Sequence, residues 1–158
     1  MTFNCKEQLA GFAQIEFYLI AETSNWPLVV TDTNSGQIIL TPEENDVDGS
    51  IEENSIGIRD KPKFSAEGNI WPVDISFVYM SRSEAMEQLL EQYSGLPGIA
   101  IACLNDGSKK LYGTDQEPIY LSWDNSYGEK PEDKHGVSIR IKGDIRQRPV
   151  FYTPAQTP

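Results

Sequence analysis

The sequence predicts an α+β, mainly β fold: a β-sandwich or open barrel with a single flanking helix at about residues 82–94. Three observations carry that expectation. Short apolar-polar alternations recur along the chain, Asn, Gly, Asp and Pro punctuate them, and only one stretch has helical spacing. At 158 residues the chain fits one domain, residues 1–158, with enough length to bury a core without a disulfide or metal staple.

The elements follow in order. Residues 13–21 place Ile15, Phe17 and Leu19 on one face of a strand. Residues 27–32 and 37–41 are apolar and β-branched, and the intervening Thr-Asn-Ser-Gly predicts a hairpin turn. Residues 42–53 are polar and acidic and predict a mobile loop. A short strand is expected at 55–59. A longer one, at 70–79, alternates Val73, Ile75, Phe77 and Tyr79; Pro72 puts its start at an edge or bulge.

Ser81 and Glu84 have the spacing of a capping box. Ala85, Met86, Leu89, Leu90 and Tyr93 then recur at helical intervals, and Gly95 and Pro97 stop the helix. Residues 99–104 form an apolar strand, and Asn105-Asp-Gly-Ser108 turns it into a strand at 109–113. Further strands are expected at 119–123, at 136–143 (Val137, Ile139 and Ile141 inward) and at 149–152. Residues 124–134 predict a charged loop, and 153–158 a frayed tail.

Composition narrows the function classes. The net charge of −11 is uneven: residues 1–60 hold 11 acids against Lys6 and Arg59. Such a chain repels phosphates, which argues against sequence-specific nucleic-acid binding. No apolar run approaches the ~18 residues of a spanning helix, and the first residues lack the pattern of a signal peptide. Two distant cysteines, Cys5 and Cys103, make no disulfide framework, and Cys103 lies in an apolar run that predicts a buried thiol.

Catalytic patterns are missing from the sequence. His135 is the one histidine, so zinc spacing does not arise, and neither a Gly-x-Ser-x-Gly elbow nor a glycine-rich phosphate loop occurs. Residues 44–52 resemble part of a calcium loop, with acids alternating before Gly49. Ser55 nevertheless stands where the bidentate Glu is needed, so a solvated acidic loop is the simpler reading. Trp26, Trp71, Trp123 and Tyr127 suit either a sugar-binding face or packing, with packing preferred. No enzyme, catalytic residue, metal or cofactor is therefore expected.

The C-terminal half resembles phage and prophage tail-tube-type structural proteins of the Bacteroidetes type. The residues behind the likeness are Ile99-Ala-Ile-Ala-Cys-Leu104, Leu111-Tyr-Gly-Thr114, Ile119-Tyr-Leu-Ser-Trp123, and residues 136–143 with Pro149-Val-Phe151. The resemblance implies a virion structural subunit, assembled in the host cytoplasm. It would associate with itself in rings, commonly hexamers, and with other tail proteins, forming a conduit whose negative lumen lets DNA slide. The uneven charge would suit contact between the acids Glu43, Glu44, Asp46, Asp48, Glu52 and Glu53 and the bases Arg140, Lys142, Arg146 and Arg148 of a neighbouring copy, although an ordinary solvated acidic loop is the preferred reading of it. The alternative is a ligand-binding module on the same scaffold, with carbohydrate as its ligand.

Overall fold

A computed structural model describes residues 1–4, 12–41, 49–52, 55–59, 61–80, 84–126 and 136–154. The fold is α+β and mainly β, with one large antiparallel sheet, one small sheet and, among the described residues, one α-helix. The strands are β1 (Thr2–Asn4), β2 (Phe12–Leu19), β3 (Thr23–Ser24), β4 (Ile39–Leu40), β5 (Ser50–Ile51), β6 (Gly57–Arg59), β7 (Lys63–Ser65) and β8 (Gly68–Met80). The helix α1 (Glu84–Tyr93) follows, then β9 (Pro97–Leu104), β10 (Lys109–Tyr112), β11 (Ile119–Ser126), β12 (Gly136–Ile145) and β13 (Val150–Phe151).

The main sheet runs β1-β2-β9-β11-β12-β8-β5. Its two end strands, β1 and β5, lie alongside each other, so the sheet curls into a nearly closed barrel. The curl turns sharply at β9, which pairs with β11 only at Gly98–Ile119 and Pro97–Tyr120. From Ala100 to Cys103 the same edge of β9 pairs with β10 instead. The second half of β11 thus extends past β9, and α1 packs there. Met86, Leu89, Leu90 and Tyr93 of α1 are buried in the main core with Phe17, Phe77, Tyr79, Ile139 and Ile141. Each such side chain contributes on the order of 1.5–3 kcal/mol. The helix ends with Gly95 at φ 76°, a left-handed position suited to glycine, and its N–H donates to the Leu121 carbonyl at 3.2 Å.

The continuous apolar run of β9 reflects burial on both faces. Ala100 and Ala102 face the main core, while Ile99, Ile101 and Cys103 face an outer layer. That layer is completed by Tyr18, Val30, Ile38, Leu111 and Val150, with Trp26 and Tyr152 packed against it.

Several elements depart from the sequence expectation. Residues 27–32 and 37–41 do not pair with each other; β4 pairs instead with β3. Asn34 explains why. Its Oδ1 accepts from the Thr31 N–H at 2.6 Å and its Nδ2 donates to the Val29 carbonyl at 2.8 Å, so a side chain takes the backbone bonds a hairpin would use. Within the stretch expected as an acidic loop, 42–53, Ser50–Ile51 forms β5 against Met80 and Tyr79, and Ile51 is buried. The strand β11 runs on through Ser126, into the expected charged loop.

β1 and the β7–β8 hairpin were not expected from the pattern. Residues 42–48 of the acidic loop, the capping-box Ser81 and the tail residues 155–158 lie outside the described residues. Pro72 falls between the stretches of β8 paired with β7 (residues 68–70) and with β6 (residues 74–76), so it interrupts neither of those ladders.

One edge of the sheet is closed by side chains. On the inner side of β13, the Tyr152 N–H donates to the Lys109 carbonyl at 2.8 Å. On the outer side, Asp32 accepts from the Phe151 N–H at 2.8 Å and the Ser35 hydroxyl donates to the Phe151 carbonyl at 2.8 Å. Arg148 pairs with Asp32 at 3.1 Å. The Phe151 amide, aided by Arg148, holds the Asp32 carboxyl below its ordinary pKa. A depressed carboxyl stabilises the fold above the unfolded pKa, ~3.9, and that contribution is lost as pH falls through the folded value. Between pH 5 and 2, Asp32→Asn is therefore expected to flatten the acid-side fall of thermal stability. Identical slopes in wild type and variant would refute this role for the carboxylate.

Candidate functional site

The most polar buried cluster lies on the outer face of β2, β9 and β10. Glu16 is 9% exposed, lies 3.8 Å from the Cys103 thiol and 4.0 Å from the Lys109 ammonium. Burial, reinforced by the Glu16 charge, raises the Cys103 pKa. Burial likewise raises the pKa of Tyr18, again with Glu16 contributing. Both groups stay protonated at neutral pH, so neither the thiol nor the phenol is primed as a nucleophile. This cluster ties β2 to β9 and β10. Among the described residues, no group of three or more His, Cys, Asp and Glu is placed to hold a metal.

The described tryptophans are all half-buried. Trp26 packs on the outer layer and donates from Nε1 to Thr23 Oγ1 at 2.8 Å. Trp71 and Trp123 pack against the main core. Together they form no exposed aromatic face. His135, Cys5 and Tyr127 lie outside the described residues or have no described side chain.

Among the expected contact residues, Glu43, Glu44, Asp46, Asp48 and Glu53 lie outside the described residues. Glu52 follows β5, and its N–H donates to the Val78 carbonyl at 2.8 Å. Arg140 and Lys142 stand on the outer face of β12, and Arg146 and Arg148 follow its end. Three are paired within the chain: Arg140 with Asp74 at 3.4 Å, Arg146 with Glu117 at 3.9 Å, and Arg148 with Asp32. Such exposed pairs are worth only about 0–1 kcal/mol each, so a neighbouring acid can compete for the same guanidinium.

The most conspicuous surface is at the end of the barrel where Trp71 pairs with Ile145. Here residues 27–30, residues 114–117 and the Arg146–Gln147 pair border an open groove of about 300 Å³. The Gln147 side-chain amide donates to the Val30 carbonyl and fixes the 27–30 segment, and Val30 is buried beneath it. Leu28 is 99% exposed and Val29 60%. On the opposite wall the Arg146 N–H donates to the Glu117 carboxylate at 2.7 Å, and the Glu117 N–H donates to Thr114 Oγ1 at 3.0 Å.

The β7–β8 hairpin extends past the last β12 pairing at the same end, and residues 63–69 are exposed throughout. The Ser65 hydroxyl donates to the Gly68 carbonyl at 2.7 Å and closes the turn, with Gly68 at φ 124°. Phe64 is 75% exposed. Leu28, Phe64 and Val29 are the three most exposed large apolar side chains of the described residues. Sequence reading passed over all three. Periodicity placed Leu28 and Val29 in a strand, and the turn residues Glu67-Gly68 after Phe64 were the unused signal for the hairpin.

No family model matches the chain, and no curated protein and no solved structure matches it either.

Proposed function

We propose that this chain is a non-enzymatic structural subunit of a phage-tail-like assembly, working by association with copies of itself in rings or a tube. The observation that carries the reading is the exposure of Leu28, Val29 and Phe64 at one end of the barrel. Apolar side chains held out in water on ordered elements gain free energy when another surface covers them. The supporting observation is chemical: Cys103 and Tyr18 are held protonated by burial and by Glu16. The tail-tube resemblance supplies the kind of assembly, with other virion proteins as further partners.

Size-exclusion chromatography with light scattering across a concentration series tests it, with negative-stain microscopy of the most concentrated sample. The expected result is a mass that rises with concentration and annular particles. A particle that stays monomeric up to millimolar concentration would end the reading.

A further inference from the structure

We infer that the β7–β8 hairpin of one copy seats in the groove between residues 27–30 and 114–117 of the next copy, with Phe64 as the anchor. This inference rests on the self-association reading and names the two surfaces that meet.

Three observations converge on it. The three most exposed apolar side chains divide between the two features, Phe64 on the hairpin and Leu28 and Val29 on the groove wall. Their charges are complementary. The hairpin segment carries exposed Lys61 and Lys63, with Glu67 at its turn, whereas the far wall of the groove carries Asp115 and Glu117, the latter paired with Arg146. Glu117 is engaged by Arg146, and no ion pair joins Asp115 to a described residue, which leaves its carboxylate available to a lysine.

Position is the third. No residue of the hairpin borders the groove within one copy, although both features stand at the same end of the barrel. In the sheet, β7 and β11 are separated by β8 and β12, which is three strand spacings or about 14 Å. Two complementary surfaces at the same end of a subunit, set apart along its wall, can meet when copies stand side by side in the same orientation. That contact is heterologous, and repeated with a closing rotation it makes a ring. An aromatic anchor in a pocket, ringed by polar groups, is also the usual composition of an interface hot spot.

The test uses the full chain and reads the association constant by sedimentation velocity, with a thermal melt of every variant as the folding control. Phe64→Ala is expected to weaken association at least about tenfold while changing the melt little, because Phe64 is 75% exposed in its own copy. Lys63→Glu and Asp115→Lys should each weaken association, and the double variant Lys63→Glu/Asp115→Lys should recover it relative to either single change. Wild-type association that is indifferent to Phe64→Ala, or a double variant no tighter than the singles, would overturn the hairpin-in-groove contact and leave self-association standing. A wild type that does not associate at all would overturn both.

Discussion

Replacing Phe3 with Ala should lower the unfolding free energy by about 3–5 kcal/mol, the range for truncating a buried aromatic side chain. Phe3 is fully buried on β1. Its ring meets Phe77 edge-on at 4.9 Å and Tyr79 edge-on at 5.1 Å, both on β8. Edge-on pairs add roughly 0.5–1.5 kcal/mol each beyond the area they bury. The site is special because, among the described residues, β1 pairs only with β2 and merely lies alongside β5. Across that seam side-chain packing replaces the backbone ladder, so loss of the ring also loosens barrel closure. For a chain of this size the melting temperature should fall on the order of 10 °C. A urea titration giving a loss under about 1 kcal/mol would show that the seam does not depend on Phe3.

Gly98→Ala should destabilise by about 3 kcal/mol, at the upper end of the cost of overfilling a core. In an ordinary strand position the same change is mildly favourable, by roughly 0.5–1 kcal/mol. Here a Cβ would sit 2.5 Å from the Phe17 ring and 2.6 Å from the Tyr18 carbonyl oxygen. The carbonyl is backbone within the β2–β9 ladder, where Tyr18 pairs with Ile99, so it cannot swing aside as a flexible side chain would. Gly98 is also where the β9 edge passes from β11 to β10. The clash therefore falls on the corner that folds one half of the sheet over the other. Chemical denaturation of the variant checks this, and a stability equal to or above wild type would mean that the corner has slack.

The parts of the fold legible in the sequence are those whose burial follows a local period. The inward row Val137, Ile139 and Ile141 of β12 and the row from Val73 to Tyr79 in β8 match their alternation, and the buried stripe of α1 matches its helical spacing except at Ala85, which is exposed. So does the turn after β9, where Gly107 takes φ 89° and the Asp106 carboxylate accepts from the Ser108 N–H at 2.9 Å.

What was illegible depends on partners distant in sequence. Phe3 becomes core only because β2 and β8 arrive beside it. The apolar run at 28–30 gives no sign that Val30 points inward while Leu28 and Val29 point out, because Gln147, far along the chain, sets that orientation. The candidate site suffers from the same blindness: charge counting drew attention to the C-terminal arginines, and only geometry shows them already paired.

The cap on β13 has a consequence for how copies can be joined. With Phe151 satisfied on its outer side by Asp32 and Ser35, a neighbour's strand finds no unsatisfied amide or carbonyl there to zip onto. At that margin the polypeptide is protected from runaway templating into fibrils, a hazard for any protein that must accumulate at high density before use. If copies associate as proposed, joints made by side chains elsewhere would open, exchange and re-form, and an array of them would correct a misplaced member where a continuous hydrogen-bonded ribbon would trap it.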